Sequence, residues 1–309
     1  MKSQNLFKFF TLYLLTFIII FNQGIECSKK EPSYKSQGED WGHICETGTK
    51  QSPINVERSN TIKTNFTPLS FTNYEQEIAL KIMNTAHTIK FEVPPPYNNL
   101  PLYLQGGGLQ DTYQLLQGHL HWGSEHNKGS EHTIDGYAAP MELHLVHFNT
   151  KYGKTASEAI ASGKYNALAV LSVMFNVKER DDNEELQPLF ESISKIRKSG
   201  ETTITGKKIK PSAFILDDRY FFRYNGSLTT PGCNEIVVWT LFKVPTMISK
   251  KQFDEVLKTT NSHSEDNSNN YRKVQSLNGR IILDSGTSGI PKINILAFTL
   301  MSIILMLFN

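Results

Sequence analysis

The stretches Gln117-Gly-His-Leu-His-Trp-Gly123 and Glu142-Leu-His-Leu-Val-His-Phe148 decide how this chain is read. Both alternate as strands do, and residues two apart on a strand point to the same face, so His119 and His121 can reach one point in space with Gln117 beside them. In the second stretch Glu142, His144 and Val146 share one face, while Leu143, Leu145 and His147 share the other. A lone histidine is more often structural than a ligand. Two at i and i+2, with a third imidazole from a neighbouring strand, instead describe a site that holds zinc (Zn2+) through three nitrogens and leaves one position open, the arrangement of catalytic zinc. On spacing alone His144 and His147 compete for the third position, and His147 lies on the face opposite Glu142 and Val146.

Outward from these stretches the chain alternates in short segments bounded by turn residues. Ile78 to Met83, Thr88 to Val93, Leu102 to Leu104, Tyr113 to Trp122, Met141 to Phe148, Leu168 to Val177, Ala213 to Leu216 and Ile236 to Val244 all read as strands. Helices are few: Asp181 to Gly200, with Leu186, Leu189, Phe190, Ile193 and Ile196 on one face, and shorter candidates over Lys154 to Gly163 and Ser249 to Thr259. No repeat and no low-complexity linker interrupts the region from Ser28 to about Asp284. The fold class is therefore mainly β (α+β), a single domain on a large twisted, mostly antiparallel central sheet with short peripheral helices.

The 309 residues, 39% hydrophobic and 20% charged, are those of an ordinary globular protein able to bury a substantial core. A formal net charge of +2 with no basic run argues against nucleic acid or an anionic membrane surface as partner.

Both ends read as targeting signals. Lys2 and Lys8 precede an apolar run from Phe9 to Phe21, too short for a spanning helix of roughly 20 apolar residues, so residues 1–27 read as a signal peptide. At the other end Ile293 to Phe308 is almost wholly apolar and only Asn309 follows. Such a tail, preceded by Ser285-Gly-Thr-Ser-Gly289, fits a glycosylphosphatidylinositol (GPI) attachment signal: Ser285 takes the lipid and 286–309 is removed, leaving 28–285 as the mature domain. A retained C-terminal helix and simple secretion are the alternatives. The expected location is the secretory pathway and the extracellular face of the cell membrane, reached through that lipid anchor. Secretion makes the sequons at Asn65 and Asn225 usable and places the cysteines in an oxidising compartment. Cys27 sits at the processing boundary, which leaves Cys45 and Cys233 as the natural pair; a loop that long is worth roughly 4–5 kcal/mol in the chain-entropy account.

The two histidine strands, with Gly129-Ser-Glu-His-Thr-Ile-Asp135, Leu168-Ala-Val-Leu171, Ser227-Leu-Thr-Thr-Pro231 and Asn270-Tyr-Arg272, stand in an order that closely resembles the α-class carbonic anhydrases from about Trp41 to Arg280. The signal, the cysteines and the apolar tail look most like the membrane-anchored extracellular members. The resemblance implies zinc on His119, His121 and His144, with Gln117 and Glu142 orienting the rings of His119 and His144. It implies carbon dioxide and bicarbonate as substrates, hydroxide on zinc adding to carbon dioxide to give bicarbonate, and sulfonamides as inhibitors. Thr229, donating to Glu131, would orient the hydroxide; Val146, Val170, Leu228 and Trp239 would form the apolar pocket for carbon dioxide, with Thr230 lining the cavity. His87 matches the proton-shuttle position, where an imidazole of pKa near 6.5 passes the released proton to buffer.

Departures from the commonest family pattern are Gly118, where a bulky apolar residue is usual, Phe148 for tryptophan and Thr85 for asparagine; Tyr34 stands near the place of a tyrosine in the N-terminal solvent network. Two other functions compete. A non-catalytic surface module is disfavoured by the intact histidines, Thr229 and Glu131. A zinc peptidase is disfavoured because no His-Glu-x-x-His sequence occurs.

Overall fold

The computed structural model describes residues 34–286 apart from 96, 216–219, 262–264 and 266. The expected signal peptide, Cys27 and the apolar tail from Ile293 lie outside these residues. From Tyr34 onward the contacts form one unit, and among the described residues no helix is long and apolar enough to cross a membrane.

A 13-stranded sheet carries the fold, with its main path running through Thr202–Ile204, Lys81–Asn84, Ile89–Glu92, Tyr113–Trp122, Met141–Asn149, Leu168–Lys178, Val237–Phe242, Phe221–Gly226, Leu283–Asp284 and Ile62–Lys63. Most pairings are antiparallel. The parallel ones join Leu168–Lys178 to Val237–Phe242 and to Thr246–Ser249, and Leu283–Asp284 to Ile62–Lys63. The two histidine strands are central neighbours, with His144 opposite His119 and Glu142 opposite His121. Every residue of Met141–Asn149 is buried, so its alternation divides two interiors rather than core from solvent. Leu143 and Leu145 join Leu171, Val173 and Phe175 on one face, and Val146 joins Val170, Tyr224 and Trp239 on the other. Each such side chain contributes about 1.5–3 kcal/mol by leaving water.

One irregularity fixes which side chains face the site. Val146 pairs with Gln117 but His147 with Leu115, so Leu116 has no partner in the ladder. An extra residue in one strand inverts its alternation. Tyr113 and Leu115 therefore face the larger core while Gln117, His119 and His121 face the opposite way, and Leu116 is left 39% exposed.

The packing group that Gly118 lacks is supplied from across the ladder. Phe91 pairs with Gly118, its ring lies where a Cβ on Gly118 would come within 2.1 Å, and it stacks on Phe214 with centroids 4.8 Å apart.

Three expectations change. The strand expected over Ala213 to Leu216, whose last residue lies outside the described ones, is replaced at its start: Pro211–Phe214 forms a 3-10 turn that Pro211 begins, its fixed φ suiting a first helical position. The helix expected over Asp181 to Gly200 is regular only at Gln187–Ile193, with Pro188 in its first turn. Ahead of it Asn183 is tied to Gln252 and accepts from the Leu186 amide at 3.2 Å, which holds the chain in a turn. The strand Phe221–Gly226 was not visible in the pattern because all but Asn225 is buried and no polar face marks the period. The two shorter helices, Ala156–Ala161 and Lys250–Leu257, are opened by capping boxes of Thr155 with Glu158 and Ser249 with Gln252.

Candidate metal centre

The strand register brings His119, His121 and His144 into one cluster, with ring centroids 5.0, 5.1 and 4.6 Å apart. One nitrogen of each lies within 4.8 Å of the others. The remaining nitrogen of each ring donates outward: His119 Nδ1 to Gln117 Oε1 at 3.0 Å, His121 Nδ1 to the Asn270 carbonyl at 2.7 Å, and His144 Nε2 to Glu142 Oε1 at 2.7 Å. These acceptors fix the tautomers, so three lone pairs converge: Nε2 of His119, Nε2 of His121 and Nδ1 of His144. The Nε2 of His121 is buried without a hydrogen-bond partner, and the His119 and His144 nitrogens face each other at 3.3 Å. Burial, reinforced by the neighbouring imidazoles, holds His119 well below its ordinary value, and burial takes His121 down to about 3 and lowers His144. Neutral imidazoles with inward lone pairs are the donor set a divalent transition metal requires.

Glu142 is the most heavily bonded group behind the cluster. Its Oε1 accepts from His144 Nε2, from His132 Nδ1 at 2.7 Å and from Ser172 Oγ at 2.6 Å, and its Oε2 accepts from the His132 amide at 2.8 Å. Burial disfavours the charge, yet His132 and His144 outweigh it and hold the carboxyl well below its ordinary value. His132 continues the chain, its Nε2 meeting the Tyr224 hydroxyl at 2.7 Å, and Tyr224 donates to Ser52 Oγ at 2.8 Å. His132, Glu142 and His144 are also close enough to form a metal set, but the atoms that would bind are already hydrogen-bonded to one another.

Glu131 stands on the other side of the imidazoles. Its Oε1 accepts from the Arg272 amide at 2.8 Å, and its Oε2 lies 3.5 Å from His121 Nε2 and 3.9 Å from His144 Nδ1. Burial pushes this carboxyl up, opposed by the Thr229 hydroxyl and the Arg272 amide, which favour the anion. Thr229 is thus beside Glu131, although Oε2 makes no well-formed hydrogen bond. The loop carrying Thr229 is fastened by the Cys45–Cys233 disulfide and by the Cys233 amide donating to the Thr230 carbonyl at 3.0 Å. The Arg272 guanidinium ties this region together, donating to the Cys45 carbonyl, Gln51 Oε1 and the Ser52 carbonyl at 2.8–2.9 Å.

The other singled-out residues fall as follows. Val146, Val170 and Trp239 are buried in one cluster with the half-buried Leu228 against it, and the Trp239 ring sits 4.7 Å from that of His144. Thr230 is half-buried. His87 is half-buried in the connection between Lys81–Asn84 and Ile89–Glu92, its carbonyl accepting from Asn270 Nδ2 at 2.8 Å. His147 is on the far face, donating from Nδ1 to the Leu145 carbonyl at 2.9 Å and bonded at Nε2 to the Tyr74 hydroxyl. Tyr34 packs edge-on against Trp41 at 5.7 Å, and burial and the Glu131 charge raise its hydroxyl pKa. Asn65 and Asn225 are exposed. Ser285 closes the last ladder, accepting from the Phe221 amide at 2.7 Å. Sequence reasoning gave no role to Asn270, His132 or Arg272. All three lie inside the quoted motifs, but the contacts of Asn270 and Arg272 join segments more than a hundred residues apart, and His132 meets Glu142 and Tyr224 across separate strands.

A profile of the eukaryotic-type carbonic anhydrase family matches residues 36–286. The chain is 36% identical over 275 residues to carbonic anhydrase 4 of Rattus norvegicus, covering 85% of this chain and 84% of that one. It is 34% identical over 242 residues to putative carbonic anhydrase 5 of Caenorhabditis elegans, covering 78% and 77%, and 33% identical over 241 residues to carbonic anhydrase 6 of Mus musculus, covering 76% and 73%.

Proposed function

The chain belongs to the eukaryotic-type carbonic anhydrase family, enzymes of carbon dioxide hydration, and we propose that it works with zinc held by His119, His121 and His144 at the extracellular face of the cell membrane. The observation that carries the metal is the buried, partnerless Nε2 of His121 facing the inner nitrogens of His119 and His144. When bound, zinc supplies a hydroxide nucleophile at neutral pH by lowering the pKa of water to about 7. Gln117, the Asn270 carbonyl and Glu142 hold the three rings at fixed angle and tautomer. Thr229 tightens onto Glu131, whose anion a divalent cation favours; its oxygen is then left to accept, which selects an attacking group that can donate and aims it at the substrate. Catalytic hydrogen bonds are often loose before ligands bind. Val146, Val170, Leu228 and Trp239 keep the apolar substrate beside the attack point, with Thr230 at its edge. His87 takes the proton released in each turnover and passes it to buffer.

For location, residues 1–27 direct secretion, 28–285 form the mature domain, 286–309 are exchanged for a GPI anchor, and Asn65 and Asn225 carry glycans. The Cys45–Cys233 bond fits an oxidising compartment. Attachment at Ser285 leaves no linker between the sheet and the lipid, since Ser285 is still hydrogen-bonded to Phe221.

Zinc stoichiometry and carbon dioxide hydration, each measured with and without a sulfonamide, test the centre. One zinc per chain and sulfonamide-sensitive hydration are expected; a full zinc complement without hydration would establish the non-catalytic module instead. Release from cells by a phosphatidylinositol-specific phospholipase tests the anchor.

A further inference from the structure

A second cavity, of about 540 Å³, opens on the sheet face turned away from the histidines. Tyr224 pairs with Trp239, which packs on His144, and Arg223 pairs with Thr240 one residue along. Successive strand residues point to opposite faces, so Arg223 points away from the metal centre and into this cavity.

Arg223 is only 5% exposed. Its Nε donates to Thr240 Oγ1 at 3.2 Å. The guanidinium lies 5.0 Å from the centroid of the Phe221 ring and 5.7 Å from that of Phe66, and Nη2 is buried with no hydrogen-bond partner. Burial draws its pKa down only to about 10, so it stays charged at neutral pH. Among the described residues the cavity wall also carries Lys50 and Arg280 but no aspartate or glutamate. Arg280 spends four of its five donors on the carbonyls of Gln51, Asn225, Ser276 and Leu277, so it adds positive potential while competing little for an acceptor. A buried cation without a counter-ion is costly, and its usual remedy is a paired, hydrogen-bonded anion. The described residues of the wall offer none.

We propose that this cavity binds a small organic monocarboxylate, its carboxylate on the open edge of Arg223 and its apolar body against Phe66, Leu109, Val238 and Leu283. The guanidinium fork matches a carboxylate, the apolar wall favours an organic body over an inorganic ion, and the volume is that of ordinary small-molecule sites. The site does not depend on the reading of the metal centre.

The probe is 2-naphthoate, titrated calorimetrically into the zinc-loaded protein at neutral pH. Binding is expected, with Arg223→Met weakening it at least tenfold, 2-naphthamide binding at least tenfold less well than the acid, and His144→Ala retaining affinity for the acid. Carbon dioxide hydration by Arg223→Met reports that the variant is folded. If it does not fold, Lys50→Glu on the exposed rim decides, with at least a threefold loss expected. No binding to the unaltered protein, smaller losses than these, or loss of binding in His144→Ala overturns the proposal.

Discussion

Nδ1 of His121 and the backbone carbonyl of Asn270 stand 2.7 Å apart although 149 residues separate them. The side chain of the same asparagine accepts from the Trp122 amide at 2.7 Å and donates to the carbonyls of His87 and Leu120 at 2.8 and 3.2 Å. One residue therefore orients a ring of the centre, clamps the strand that carries it and holds the turn bearing His87. Asn270→Ala keeps the carbonyl but frees its position. Zinc affinity is expected to fall about tenfold, the low end for partners behind a metal ligand, in a chelator-competition titration; unchanged affinity would show that the carbonyl is positioned by other groups.

His144 and His147 can be separated by metal content. His147→Ala should retain close to one zinc per chain, because that ring is bonded to Tyr74 and Leu145 on the other face. His144→Ala should lose most of it, and Glu142→Gln should weaken zinc by roughly 10- to 100-fold. Elemental analysis of the folded variants decides, and the reverse order for the two histidines refutes the ligand assignment.

Proton export is the role given to His87. Replacing it with alanine should leave zinc content unchanged and slow carbon dioxide hydration in weak buffer, with the rate recovering as a small imidazole buffer is added. A rate indifferent to both changes assigns the relay elsewhere.

The contact of Phe91 with Gly118 is a stability device. Gly118→Ala drives a methyl into a ring already stacked on Phe214, and overpacking of this kind costs about 1–3 kcal/mol. Urea unfolding should show that loss, and Phe91→Leu added to Gly118→Ala should recover part of it, since residues in contact are not additive.

Acid should destabilise the fold through His147. Burial lowers its pKa from 6.5 to about 4 in the folded state. Between those values the unfolded chain binds a proton that the folded chain does not, so stability is full above pH 6.5 and falls as pH drops towards 4, by about 3 kcal/mol in all. In His147→Gln the urea midpoint should change less between pH 7 and pH 4.5 than in the parent. An equal change would assign the acid sensitivity to other groups.

The sequence read well where local pattern and tertiary role coincide. His119 and His121 were legible because period-2 alternation places them on one face, whereas spacing left His144 and His147 competing and the family resemblance pointed to His144, which the strand register sets opposite His119. The unpaired Leu116 was not legible, since nothing local marks the residue at which an alternation inverts. Nor was the Asn270 carbonyl, because a backbone acceptor has no residue identity to read. The helix expected from Asp181 overran because an apolar stripe cannot show that Asn183 is held by Gln252, and the strand Phe221–Gly226 disappeared because burial on both faces erases the period.

The covalent link between Cys45 and Cys233 also divides the site into two parts with different supports. It fastens the loop on which Thr229 stands, and Arg272 joins the Cys45 carbonyl to the backbone amide that Glu131 accepts. The imidazoles are placed by strand pairing and by the Asn270 carbonyl, neither of which runs through this bond, whereas the threonine loop is fastened by it directly. Reduction of the bond is therefore expected to loosen the loop that carries Thr229 while leaving the three imidazoles in place.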